Sequence, residues 1–289
     1  MKTLTTILFL LLIVFSGCQK VVDADKLLDA EEKVYILSYI SPTDTLLTVS
    51  VSKALPAIGT ALSFDDTENY SSFIIEDAIV SITDVEGNSV QLLYSSENSM
   101  YSTKAENLKI TEGSQYFLEV ITQENTYTSS CRIPEKVATI VENLAGGQDD
   151  YGVYTDVDIS FEDIVGTANF YIVGAKYEET FEEETYQGSL YFETGGFLTD
   201  AIGDGVILND KTSAYTRFLE EGTSIKLTLQ VANVEEVIYQ NLRASYLNDD
   251  SDGNPFIEYS IAPDNIDGEN GVGVFGGYQL TEKIIEVQY

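Results

Sequence analysis

The chain has 289 residues, of which 15 are Lys or Arg and 48 are Asp or Glu, giving a formal net charge of −33. Such a surface repels nucleic acid and anionic lipid headgroups, which excludes both as partners. The sequence contains no histidine. It therefore lacks the imidazole that zinc hydrolases and most enzymes with a Ser or Cys nucleophile use, and no catalytic residues are predicted.

The first residues have the pattern of a bacterial lipoprotein signal. Lys2 precedes an apolar stretch at residues 4–15, which is shorter than the roughly 20 residues needed to cross a bilayer. Ser16 and Gly17 supply the small residues expected before a lipid-modified cysteine, Cys18. We predict that residues 1–17 are a cleaved signal peptide, that Cys18 carries lipid, and that residues 18–32 form a tether.

From residue 33 the hydrophobic pattern has a period of two. Leu47, Val49 and Val51 alternate with small polar residues, which predicts a half-buried strand. Similar runs occur at residues 34–40, 78–83, 116–121 and 126–133, separated by turn-forming residues. These runs predict an antiparallel β-sandwich over residues 33–134. The stretch from 78 to 120 resembles the transthyretin-like, Ig-like sandwich domains that accompany outer-membrane transporters and carboxypeptidases.

Residues 135–150 are predicted to be a linker because Pro134 and the Gly146–Gly147 pair interrupt the strand pattern. A second sandwich is predicted over residues 151–289, because residues 154–161 alternate and, with 169–177, resemble the second and third strands of fibronectin type III modules. One helix is expected there, at 234–247, with Asn233 as its N-cap. The predicted fold class is therefore all-β, with two antiparallel sandwiches and a short helix in the second.

The late acidic loop partly matches a calcium-binding loop. Asn248, Asp250 and Asp252, followed by Gly253, fit the first half, in which alternate oxygens converge on the ion. The second half fails, because Tyr259 occupies the position of the bidentate glutamate. A solvated turn is favoured over a calcium site, and no other cofactor is expected.

The glycine-rich stretch at residues 271–277 lacks both the P-loop lysine and the spacing of a dinucleotide-binding loop. In a β context, glycines more often allow a bulge or the close approach of another backbone, so this interpretation is favoured. Cys131 lies in a strand-like run and is expected to be a buried apolar residue.

Residues 39–53, 252–256 and 265–277, together with the cysteine signal, resemble the Bacteroidota outer-membrane lipoproteins of the domain-of-unknown-function 4249 family. The resemblance extends through essentially the whole mature chain. It implies an accessory role beside a TonB-dependent receptor and provides no catalytic residues. An acidic insert at 178–184 departs from the family pattern.

The first hypothesis is a lipid-anchored outer-membrane lipoprotein that serves as an accessory or ligand-capturing partner of a TonB-dependent transporter, on either face of that membrane. Its contact surface is expected on the late loops, at Asp249, Asp250, Asp252, Asn254, Phe256, Asn265, Phe275 and Tyr278. The alternatives are an envelope structural or adhesin module and, less favoured, an acidic-site hydrolase.

Overall fold

The computed structural model describes residues 32–54, 72–149, 152–181, 184–215, 224–250 and 260–288. The predicted signal peptide, Cys18 and most of the tether lie outside these ranges. Within them, fifteen strands and one α-helix confirm the all-β class. No helix in the described part of the chain is both long and apolar enough to span a bilayer.

The first seven strands form the N-terminal half, with a short 3-10 turn at Ala105–Asn107. Their bounds are β1 Lys33–Ile40, β2 Leu46–Ala54, β3 Ile79–Asp84, β4 Ser89–Ser95, β5 Met100–Lys104, β6 Gln115–Ile121 and β7 Thr126–Arg132. The remaining elements, with a second 3-10 turn at Asp200–Ile202, are β8 Val141–Asp149, β9 Gly152–Glu162, β10 Phe170–Phe181, β11 Glu184–Leu190, β12 Phe197–Thr199, β13 Ile207–Tyr215, β14 Ser224–Val234, α1 Glu236–Asp250 and β15 Gly271–Gln288.

The N-terminal half is one curved sheet in the order β1-β2-β5-β4-β3-β6-β7. The alternation in β2 has the predicted result, because Leu47, Val49 and Val51 are all at most 1% exposed. They pack with residues of the other strands in a single core that also contains Cys131. The cysteine is therefore buried, as predicted, and burial raises the pKa of its thiol.

The segment before β15 bridges the two ends of this sheet. Thr128 of β7 and Asp267 exchange two backbone hydrogen bonds of 2.8 Å. The Asn265 side-chain amide donates to the carbonyl oxygen of Phe275 at 2.7 Å and accepts from its N–H at 2.9 Å. The Asn265 side chain thus makes the two hydrogen bonds that a backbone partner would make to Phe275. Together with the Thr128–Asp267 pairing, it brings the two ends of the N-terminal sheet close to each other.

The C-terminal half is a sandwich of two sheets. Strands β11, β10, β14 and the second part of β15 form one sheet, and β13, β9 and β8 form the other. Their facing side chains build a separate core, which includes Ile159, Phe161, Tyr171, Leu227 and Leu229. Lys283 of β15 forms an ion pair with Glu142 of β8 between the two sheets.

Strand β15 belongs to both halves. Its first part pairs in parallel with β1, from Val34 opposite Gly271 to Ile40 opposite Gly277. Its second part pairs antiparallel with β14, from Val234 opposite Tyr278 to Ser224 opposite Gln288. The predicted second domain, 151–289, therefore contributes residues 271–277 to the sheet of the first, and one twelve-stranded sheet runs through the described residues.

The segment predicted as a linker, 135–150, contains strand β8, which pairs with β9 over its whole length. The glycines did not interrupt the strand because the bare Gly147 backbone accommodates the ring of Tyr154 from β9, which a Cβ at this position would strike. Each half also has a buried tyrosine that bonds back to the preceding segment. The Tyr116 hydroxyl donates to the Lys109 carbonyl oxygen, and that of Tyr171 donates to the Asp163 carboxylate.

Helix α1 lies over the junction of the halves, where Ile238 and Tyr239 pack with Val274 of β15. It begins two residues later than predicted, and Asn233 is not its N-cap. Asn233 is a buried residue of β14, and its amide donates to the Glu135 carbonyl oxygen and to Asn169. These tertiary hydrogen bonds replace the local capping bond that the sequence indicated.

Candidate functional site

The glycine-rich start of β15 is where three backbones come close together. Gly273 has a φ of +131°, and a Cβ at this position would collide with the carbonyl oxygen of Ile36 in β1. A Cβ at Gly277 would collide with the carbonyl oxygen of Arg132, the last residue of β7. The prediction of close backbone approach is therefore confirmed, and these residues build the scaffold.

Glu235 holds this junction together with a half-buried carboxylate. Its Oε1 accepts a 2.8 Å hydrogen bond from the Arg132 N–H, and its Oε2 accepts one of 2.7 Å from the Gly277 N–H. Its carbonyl oxygen accepts from the Tyr239 N–H in the first turn of α1. Burial raises the pKa of this carboxyl group, although the two N–H donors oppose that change. Glu235 thus connects β7 and β15 through its side chain, and α1 through its backbone carbonyl group.

An open groove of about 640 Å³ lies beside this carboxylate, at the junction of the two halves. Arg132, Pro134 and Asn169 are among its lining residues. Concave surfaces between packed units are the usual place for ligands, so this groove is the candidate binding site of the scaffold. The side-chain amide of Asn169 stabilises the wall of the groove, because it donates to the Ile164 and Thr167 carbonyl oxygens. The exposed Arg132 and Glu236 at its rim carry charge.

Tyr278, for which a partner contact stays a prediction, connects β15 to the turn between β1 and β2. Its hydroxyl donates a 2.6 Å hydrogen bond to Oδ1 of Asp44, whose Oδ2 accepts from the Ser41 N–H at 2.7 Å. Burial raises the pKa of Asp44 and that of the Tyr278 hydroxyl. The pair fixes the turn that follows β1.

Asn265 and Phe275 are brought together, but inside the fold. Phe275 has 0% exposure and lies in the N-terminal core, so it is not available to a partner. Asn265 is committed to the Phe275 backbone. The predicted contact at Phe275 is therefore corrected to a role in the core, and Asn265 holds the backbone of the same strand.

The predicted calcium loop is only partly described. Asn248 lies near the end of α1, where its side-chain oxygen accepts from the Ser260 N–H at 2.8 Å and its amide donates to the Ser260 carbonyl oxygen at 3.0 Å. Asp249 and Asp250 end the helix. Asp252, Asn254 and Phe256 lie outside the described residues, and calcium binding stays a prediction. Among the described residues, no three acidic or cysteine side chains are grouped as metal ligands.

Sequence reasoning missed the role of Glu235, which it placed in the first turn of the helix. The local sequence carried no signal for this role, because both donors to Glu235 come from distant strands. It also missed the contact between Tyr154 and Tyr215, whose rings lie side by side on β9 and β13. That contact could have been found only by knowing the strand register.

Comparison with known proteins identifies a family. The family model described as Domain of unknown function (DUF4249) matches residues 21–284. A search of curated proteins finds no match. One solved chain, from a study of the manganese lipoxygenase of Gaeumannomyces graminis and zonadhesin of Komagataella pastoris, matches at 10% identity over 88% of this chain and 95% of its own. Its TM-score of 0.18 is too low to indicate a shared fold. Because the family match spans most of the sequence, the chain belongs to the family Domain of unknown function (DUF4249).

Proposed function

We propose that this chain is a lipid-anchored outer-membrane lipoprotein of a Bacteroidota bacterium, acting as an accessory or ligand-capturing partner of a TonB-dependent transporter. The observation that carries the proposal is the order of the chain. A lipoprotein-type signal ending in Cys18 precedes an all-β body that the family match covers. Acylation of Cys18 with more than one chain would hold such a body stably at a membrane.

The attachment point of the tether supports this role. The tether leads into β1, which lies inside the large sheet with β15 on one side and β2 on the other. Where the described residues begin, Glu32 forms a 2.7 Å ion pair with Lys53 at the end of β2. A lipid at Cys18 would therefore connect the membrane, through the tether, to the strand that pairs with β15.

The test is purification of the tagged full chain from detergent-solubilised outer membranes of its native host, with mass spectrometry of the proteins that accompany it. The matched control is Cys18→Ala, which removes the acceptor of the lipid and leaves the described body unchanged. We expect the wild type to incorporate labelled fatty acid and to recover a TonB-dependent receptor in stoichiometric amount. Cys18→Ala should lose both.

Two results would contradict the proposal. If Cys18→Ala fractionates with the outer membrane as the wild type does, the anchor is not this cysteine. If the lipidated wild type is recovered without a receptor, the transporter role is wrong, and the envelope structural or adhesin module becomes the better explanation.

A further inference from the structure

Two tyrosines and a glycine lie in one row across the outer face of the three-stranded sheet. In register, Gly147 of β8 lies opposite Tyr154 of β9, and Tyr154 lies opposite Tyr215 of β13. The two tyrosine ring centroids are 5.5 Å apart, with the ring planes inclined by 41°. The Tyr154 ring covers the backbone of Gly147, and 45% of Tyr215 is exposed. Two neighbouring rings thus form a platform on the outer face of the sheet.

Carboxylates border this platform. The Tyr215 hydroxyl donates to Asp149 Oδ2 at 3.2 Å, at one end of the row. In the adjacent row, the Ser213 hydroxyl donates to Asp156 Oδ1 at 2.6 Å. Oδ1 of Asp149 also accepts a 3.1 Å hydrogen bond from the Gly152 N–H. Each carboxylate oxygen can accept more than one hydrogen bond, so both carboxylates can also accept from the hydroxyl groups of a ligand.

This combination matches the chemistry of a sugar. The C–H face of a pyranose is apolar and flat enough to stack on an aromatic ring, while its edge presents hydroxyl donors to nearby carboxylates. A chain with a net charge of −33 repels anionic glycans, which favours neutral ones. We infer that the face formed by Tyr154 and Tyr215, with Asp149 and Asp156 beside them, binds neutral oligosaccharides or polysaccharides.

The inference rests on the proposed function for its biological use, since it names the ligand class for the ligand-capturing role. Binding itself requires only this chain. It is therefore measured on purified protein, where no transporter is present, and the two proposals can fail separately.

The experiment is affinity electrophoresis of the full chain, purified in detergent, through native gels that contain mannan, xylan, mixed-linkage β-glucan or, as an anionic control, alginate. We expect at least one neutral polysaccharide to retard the protein and alginate to leave its mobility unchanged. Tyr215→Ala should weaken the retardation roughly fivefold or more, because each stacked ring contributes substantially to such binding. Tyr215→Phe, which keeps the ring, should stay within about threefold of the wild type.

The matched control is Tyr191→Ala, because Tyr191 is 89% exposed and lies outside the platform. This variant should bind as the wild type does. Thermal unfolding of each variant shows whether it is folded, and Asp156→Asn provides a second reading, with weaker binding expected, should Tyr215→Ala unfold. The inference is overturned if no neutral polysaccharide retards the wild type, or if the folded Tyr215→Ala and Asp156→Asn variants bind as the wild type does. If glycan binding fails while a receptor still co-purifies with the wild type, the transporter proposal stands without it.

Discussion

At the scale of single residues, the junction of the two halves depends on a few positions where another side chain would be destabilising. At Gly273 a side chain has no room and the backbone has a positive φ. At Glu235 one carboxylate satisfies two backbone N–H groups from separate strands. By contrast, single substitutions of exposed charged residues usually change the free energy of unfolding little.

Gly273→Ala should destabilise the protein by about 3 kcal/mol or more, because the new methyl group meets the Ile36 carbonyl oxygen and the φ is unfavourable for alanine. Gly87→Ala is the matched control, since Gly87 has a φ of +88° with nothing within 4 Å of the added Cβ. It should lose only about 1 kcal/mol. Urea unfolding measures both values, and equal losses would show that the close approach to β1 is unimportant.

Glu235→Gln should lower the free energy of unfolding at pH 7 by about 1–3 kcal/mol, because the amide nitrogen would face one of the two N–H donors. Glu236→Gln changes the neighbouring exposed carboxylate in the first turn of α1 and should alter stability by less than about 0.5 kcal/mol. Chemical denaturation of the two variants makes the comparison. A Glu235→Gln protein as stable as Glu236→Gln would exclude the bridging role.

The same variant tests the pH dependence. Because burial raises the pKa of Glu235 above its ordinary value of 4.5, the folded state holds this proton more tightly than the unfolded state. The contribution of Glu235 to stability is then largest below pH 4.5 and declines as the pH rises through the folded-state pKa. The difference in the free energy of unfolding between wild type and Glu235→Gln should therefore decrease as the pH rises from 4.5 through the folded-state pKa of Glu235. A difference that grows with pH would mean that the two N–H donors outweigh burial.

At the scale of elements, the tyrosine hydroxyls fix how strands enter the sheets. Tyr116 donates to the Lys109 carbonyl oxygen at 2.9 Å and accepts from the Thr111 N–H at 2.8 Å. Tyr171 makes a similar connection, donating to Asp163 at 2.7 Å and accepting from the Ile164 N–H at 3.1 Å. In both halves, the hydroxyl bonds to the segment that precedes its own strand.

Tyr116→Phe should lose about 1–3 kcal/mol, because the Lys109 and Thr111 backbone groups lose their partner. Tyr127→Phe is the control, because Tyr127 is equally buried and the described residues show no hydrogen bond for its hydroxyl. It should stay within about 0.5 kcal/mol of the wild type. Thermal unfolding of the two proteins decides, and similar midpoints would remove the role assigned to the hydroxyl.

The strands with a strict period of two were predictable from sequence, as in β2 and β9, because alternation directly reflects which face is buried. Elements whose stability comes from distant residues were not. Strand β8 contains two glycines and depends on pairing with β9. Helix α1 begins later than predicted because Asn233 forms hydrogen bonds to Glu135 and Asn169 instead of capping the helix. The burial of Phe275 was not predictable for a similar reason, since it depends on the N-terminal core and on the hydrogen bonds that Asn265 makes to its backbone.

At the scale of the whole molecule, two separate cores share one strand. Leu227 in the C-terminal core pairs with Ile285 of β15, while Phe275 of the same strand lies in the N-terminal core. Loss of order at one end of β15 should therefore disturb the other end. We expect the two halves to unfold together.

Leu227→Ala, at a site with 0% exposure, should cost about 2–5 kcal/mol and shift the unfolding of both halves. Cys131, buried in the N-terminal core, reports on the distant half when Cys18→Ser leaves it as the remaining cysteine. Pulsed thiol labelling of Cys131 in urea should have its midpoint lowered as much as that of circular dichroism. Leu118→Ala, in the N-terminal core, is the reciprocal control. If Leu227→Ala leaves the urea midpoint of Cys131 labelling unchanged, the two halves unfold independently.

The parallel pairing of β1 with β15 also determines the order in which the protein can fold. Val34 finds its partner Gly271 only after nearly the whole chain has been synthesised, so this pairing closes a very long loop and forms late. Until then one edge of β1 has no partner strand and is exposed to aggregation. Chains that are clipped or stalled before residue 271 should consequently fail in both halves, which makes an intact C-terminus a checkpoint for the entire protein.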